Sequence, residues 1–306
     1  MTTLRTAPFF VALLALGASA WADDSSPSAT KVCPYQTNHK APLEATEKEV
    51  ATGDDHVQLR VEFNGIKGDR VPAFLYLPKK SQPKNPAVLL QYGSGGDKKV
   101  NYIVDLGRQF VAHGFVVLTI DSPGRGERKT ADQKKTDWLF SSEGREIFLQ
   151  YCGDYSRAVD YLVSRSDVDA DRLGYVGISW GAITGVPYVA HDPRIKAMGS
   201  MVGGGNFLGL AGALDVKQAD ESKEKPVSID PVRHVGLIAP RPLLLLNVTR
   251  DQLVPRPFAD ALHNAAGEGT KKVWLETDHF FNGVDRHEVG ETVIEFMKQS
   301  LNKKAE

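Results

Sequence analysis

Short runs of almost uninterrupted apolar residues, each followed by a stretch with a helical period, set the narrowest limit on what this chain can become. Ala87-Val88-Leu89-Leu90-Gln91-Tyr92 is one such run. It precedes apolar residues at Val100, Ile103, Val104, Gly107, Phe110 and Val111, spaced as one face of a helix that stops at Gly114. The unit recurs. Phe115 to Ile120 reads as a strand, and Phe148, Cys152, Tyr155, Val159 and Leu162 form a stripe on a helix over 143–164. Further strands are expected at 172–177, 197–202, 242–246 and 272–275, with helices near 257–266 and 285–301. Strands without polar alternation have no face to show to water, so both faces must be covered. A mostly parallel sheet with helices on both sides does this, and the fold class is α/β.

An antiparallel pair opens the domain. Val57 to Phe63 alternates apolar and polar residues, turns through Asn64-Gly65 and Lys67-Gly68, and resumes from Val71 to Leu77. The stretch 203–228 has no matching strand and reads as an insertion over one end of the sheet. The expected organisation is a leader over 23–56 and one catalytic domain over 57–306.

Residues 1–22 carry Arg5, then the apolar run Phe9 to Leu16, then the small-residue sites Ala18-Ser19-Ala20 and Ala20-Trp21-Ala22. This is the pattern of a cleaved signal peptide, and the run is far below the roughly 20 residues that a membrane span needs. The chain is expected in the periplasm or outside the cell, with no membrane association once the signal is removed. Thirty-seven Lys and Arg against thirty-eight Asp and Glu leave a net charge of -1, which gives no field to attract nucleic acid. A small, roughly neutral partner fits better. In an oxidising compartment the two cysteines, Cys33 and Cys152, are either bridged, tying the leader to the body, or separate thiols.

The chemistry centres on Gly177-Ile178-Ser179-Trp180-Gly181. The strand Leu173-Gly174-Tyr175-Val176 runs straight into it and a helix follows, so the turn lifts Ser179 Oγ above the sheet and brings helix N–H groups near it. A serine hydroxyl needs a base, and that base needs an acid to hold it. Asp251 follows the apolar strand Leu243 to Leu246, and His279 follows Val273-Trp274-Leu275. Both stand at the carboxyl edge expected for Ser179. Asp278, adjacent to His279, is poorly placed to reach its ring, so Asp251 is the acid. His191, His263 and His287 are expected to be solvated. The oxyanion donors are expected to be the amides of Trp180 and of Ser94, in the loop Tyr92-Gly93-Ser94-Gly95-Gly96, with the Tyr92 phenol as the other possibility. No cofactor or metal is called for, because the His and Cys residues lack zinc-site spacing.

Together with Asp121-Ser122-Pro123-Gly124-Arg125-Gly126, these segments resemble the α/β-hydrolase superfamily from about residue 57 onward. The opening pair, with Val71-Pro72-Ala73-Phe74-Leu75-Tyr76-Leu77-Pro78, is similar to its dienelactone hydrolase and acetyl xylan esterase branch. The resemblance implies a serine hydrolase with the triad Ser179, Asp251, His279, acting on small-molecule carboxylic esters through an acyl-enzyme. Two departures bear on this. Tyr92 stands where many members have His, and dienelactone hydrolases proper use a Cys nucleophile where this chain has Ser179. Simple ester cleavage is therefore favoured over lactone opening. A prolyl-oligopeptidase-like peptidase shares the triad but usually carries a large N-terminal propeller, and a non-catalytic binding member of the fold normally lacks a triad residue. Trp138, Trp180, Phe207 and Leu208 are candidates to wall a pocket, while Arg125 and Arg128 either contact an acidic substrate or anchor their loop.

Overall fold

A computed structural model describes residues 33–80, 82–129, 142–206 and 229–302. Among the described residues nine strands form one sheet in the order β1-β2-β3-β5-β4-β6-β7-β8-β9. The antiparallel part consists of β1 (Thr46–Thr52), β2 (His56–Asn64) and β3 (Arg70–Pro78), with β3 also antiparallel to β5 (Val116–Ile120). From there β4 (Asn85–Gln91), β6 (Val168–Ile178), β7 (Ile195–Met201), β8 (Leu243–Arg250) and β9 (Lys271–Asp278) run parallel.

The apolar runs become buried central strands because successive residues face two different cores. Ala87 and Leu89 of β4 pack on one side with Phe148, Tyr155 and Val159 of α2 (Ser142–Ser164) and Val186 of α3 (Trp180–His191). Val88 and Leu90 pack on the other with Ile103 and Phe110 of α1 (Asn101–Ala112) and Val293 and Met297 of α5 (Arg286–Leu301). A further helix, α4 (Arg256–Ala265), lies between β8 and β9 in the chain. Among the described residues, no helix is long and apolar enough to cross a membrane.

One expectation about the amino-terminal part is corrected, and of the two alternatives left open for its cysteine the structure has the separate thiols. β1 lies inside the stretch read as a leader, yet it pairs with β2, so the sheet begins before residue 57. Every residue of β1 is exposed, and its charged sequence suits a sheet edge that must not recruit another strand. Nor does the segment hang from a disulfide. Cys33 and Cys152 are free thiols: Cys33 Sγ turns back to Tyr35 O at 3.1 Å, and the buried Cys152 Sγ faces Thr184 O at 3.7 Å. The anchor is Arg157 of α2, which is 1% exposed and donates to Asn38 O at 3.3 Å, Ala41 O at 2.8 Å, Asn64 O at 3.2 Å and Asp160 Oδ2 at 2.7 Å. Four acceptors offset the cost of burying its charge. The insertion at 203–228 falls outside the described residues from 207 onward, as does the segment read as a signal peptide.

Candidate active site

Ser179 is forced into place by its backbone. It is the residue before α3, with φ 53° and ψ -112°, a region that side-chain-bearing residues avoid. The bend is fixed from both ends: Ser179 N donates to Met201 O on β7 at 2.8 Å, and Ser179 O accepts the first helical bond, from Ile183 N, at 2.9 Å. Glycine is required on either side because the chain doubles back on itself. A Cβ on Gly177 would stand 2.3 Å from Gly181 O, and one on Gly181 would stand 2.7 Å from Gln91 O. Such strain persists only where surrounding structure enforces it, and it points to a functional position.

The structure joins the other two predicted residues directly. His279 Nδ1 lies 2.8 Å from Asp251 Oδ2 and 2.9 Å from Oδ1, with side chains only 7% and 3% exposed. The carboxylate also accepts from Leu253 N at 2.9 Å and Val254 N at 2.7 Å, so Asp251 holds its own loop and the imidazole together. Nδ1 is therefore the donor to Asp251, which leaves Nε2 as the proton acceptor. No hydrogen bond joins Ser179 Oγ to the ring among the described residues; in apo sites such contacts often tighten only when substrate binds. Asp278 is excluded as the acid by its own contacts. It takes Phe280 N at 3.0 Å, Asn282 N at 3.1 Å and Asn282 Nδ2 at 2.9 Å, which closes the turn after β9.

The oxyanion side divides as follows. Trp180 opens α3, so its amide is one of those for which a helix supplies no acceptor of its own. Its ring packs edge-on against Phe148 and Tyr151, at 5.9 and 6.4 Å between centroids. Ser94 is exposed within a turn closed by Gly96 N donating to Gly93 O at 3.2 Å, and its amide has no acceptor among the described residues. The Tyr92 phenol is buried, and its oxygen accepts from Ser122 N at 2.8 Å, in the loop after β5. Trp138, Phe207 and Leu208 lie outside the described residues. Arg128 anchors its loop, donating to Asp121 O at 3.0 Å and pairing with Asp154 at 2.9 Å.

Sequence reasoning missed the group that joins these loops. Asp121, at the end of β5, is wholly buried and accepts from Lys98 N at 3.1 Å, Glu127 N at 2.9 Å and the equally buried Lys98 Nζ. Lys98 Nζ reaches Glu127 Oε1 at 2.6 Å, and the Arg60 guanidinium holds the Glu127 carboxyl down at about 2. The loop bearing Ser94 is thereby pinned to the loop after β5.

His263, expected in solvent, is not there and His191 is half-buried, whereas His287 is exposed as expected. His263 is buried against Trp274, with rings 4.8 Å apart and Nε2 2.9 Å from Asn247 Oδ1. His191 faces His234 at 3.0 Å. Burial, followed by Lys272 for His263 and by His234 for His191, lowers each pKa to about 4. An unfolded chain protonates histidine near 6.5. Between those values the unfolded state binds the extra protons, so stability is full above about pH 6.5 and falls as pH drops towards 4. The melting temperature is expected to decline from pH 7 to 4.5, and His263→Gln, which removes one titrating group, should make that decline shallower.

A parallel sheet that gathers a strained serine, an aspartate-oriented histidine and a glycine-rich loop at one edge has the architecture of an α/β-hydrolase enzyme. The chain belongs to the dienelactone hydrolase family, whose profile matches residues 71–233. Among curated relatives, the putative hydrolase YtaP of Bacillus subtilis (strain 168) is 28% identical over 255 residues, covering 75% of this chain and 84% of that protein. Esterase YjfP of Escherichia coli (strain K12) is 25% identical over 202 residues, covering 61% and 79% respectively. In fold the chain is similar to acetyl xylan esterase 1 of a Thermoanaerobacterium species, with a TM-score of 0.67, 18% identity, and coverage of 90% of this chain and 98% of that one.

Proposed function

We propose that this protein is an exported serine esterase that cleaves carboxylic esters of small molecules. The observation that carries the reading is the Asp251–His279 pair, buried at the edge where Ser179 is held in strained backbone. His279 Nε2 takes the proton of Ser179 Oγ as that oxygen adds to the ester carbon. The amides of Trp180 and Ser94 hold the oxyanion that forms. His279 then gives its proton to the departing alcohol, leaving an acyl group on Ser179. Water, deprotonated by the same nitrogen, attacks the acyl carbon, and Ser179 leaves with the proton. Asp251 keeps one tautomer throughout and stabilises the transient imidazolium. The route draws on side chains and backbone amides of this chain and on water.

Curated and solved relatives named as esterases support ester over peptide substrates. Acetate esters, including acetylated sugars, are the first to try. The test is turnover of p-nitrophenyl esters of increasing acyl length, acetylated sugars and a peptide anilide, alongside labelling by a fluorophosphonate. Short-chain ester hydrolysis with one label on Ser179 is expected. Preferential peptide cleavage, or neither turnover nor label, would overturn the reading. Export rests on residues 1–22, and the amino terminus of protein recovered outside the cytoplasm should begin at Asp23.

A further inference from the structure

The phenol of Tyr102 sits where neither the triad nor the backbone amides account for it. Tyr102 lies in the first turn of α1, directly after the loop that leaves β4, and its oxygen accepts a hydrogen bond from Gly93 N at 2.9 Å. That bond occupies a lone pair; among the described residues nothing accepts the phenol's own proton. Gly93 shows where the proton can go. A Cβ placed on Gly93 would stand 3.1 Å from Ser179 Cβ, 3.5 Å from Ser179 Oγ and 3.5 Å from the Tyr102 hydroxyl oxygen. Nucleophile and phenol therefore border the same small space, which glycine leaves empty. Burial raises the Tyr102 pKa against the opposing effect of the Gly93 hydrogen bond, so the group is a neutral, protonated donor through the physiological range.

Resting on the esterase reading, we propose that Tyr102 is a further catalytic residue, a side-chain oxyanion donor. Its O–H donates to the substrate oxygen that gains charge when Ser179 Oγ adds to the ester carbon. The proton stays on the phenol and no bond to Tyr102 forms or breaks. The Gly93 amide, donating to the same oxygen, polarises the O–H and limits the directions in which it can point.

The test compares Tyr102→Phe, which removes only the hydroxyl, with Tyr102→Leu, which also removes the ring. Each is assayed on p-nitrophenyl acetate, with a fluorophosphonate label and with inhibition by phenylboronic acid, which forms a tetrahedral adduct on the serine. Loss of an oxyanion donor predicts a fall of about tenfold or more in kcat for Tyr102→Phe, with KM little changed and the boronate binding weaker by a similar factor. Tyr102→Leu should be at most a few-fold worse. A Tyr102→Phe enzyme within about twofold of the parent, or a defect confined to Tyr102→Leu, assigns the ring a packing role and overturns the proposal. A parent enzyme that neither cleaves the ester nor takes the label overturns the esterase reading, and this assignment with it.

Discussion

Ser179→Ala should abolish ester hydrolysis, by three or more powers of ten in kcat, while leaving the folded protein intact. The two halves of that result have separate causes. Catalysis is lost because no other group can form the acyl bond. The fold survives because what Ser179 contributes to it is backbone: N–H to Met201 O, C=O to Ile183 N, and a left-handed φ of 53° that alanine, also bearing a Cβ, strains to the same degree. The melting temperature should move by no more than a degree or two, and fluorophosphonate labelling should vanish. Activity above a few per cent in pure mutant protein would mean that another residue is the nucleophile.

Asp251→Asn is expected to be nearly as severe, with kcat lower by about four powers of ten and KM little changed. An amide presents an N–H as readily as an oxygen to His279 Nδ1, which favours the tautomer that puts the proton on Nε2, where the serine proton has to go. The amide also provides no negative charge to stabilise the imidazolium. Some stability should go too, because Asp251 takes Leu253 N and Val254 N as well as the ring. Asp278→Asn provides the control: its carboxylate closes the turn through Phe280 and Asn282 and does not touch His279, so kcat should change less than tenfold. The opposite ranking in steady-state kinetics would make Asp278 the acid.

The parts of this molecule readable from sequence are those whose signal is local. The central strands announce themselves because burial on two faces removes polar residues from a short window, and the serine turn because two glycines must flank it where backbone meets backbone. β1 carries no such signal: Thr46 to Thr52 has no apolar face, and only pairing with β2 makes it a strand. Arg157 gathers carbonyls from two separate places in the chain, the 38–41 turn and Asn64, a relation that no window contains. His263 was open to better reading. It falls on the stripe of Phe258, Ala259 and Leu262, and that spacing marks the buried face of α4. The helical period did place Cys152 inward, but it could not show which way the thiol points or what Cys33 contacts.

The buried pair of Lys98 and Asp121 has a consequence for how such a sequence can drift. With both side chains at 0% exposure, Lys98→Met alone strands the Asp121 carboxylate in the interior, a loss of about 3–5 kcal/mol, which is a large part of a domain's whole stability, and Asp121→Asn takes from the buried Lys98 one of the two carboxylates that hold it. Exchanging both for apolar residues of similar volume can be neutral, yet it is reached only through one of those costly intermediates. The two positions are therefore inherited as a unit, and so are the loops they fasten. Variation in the turn carrying Ser94 and in the turn after β5 should be correlated among descendants of this chain, with relatives that lack one charge lacking the other.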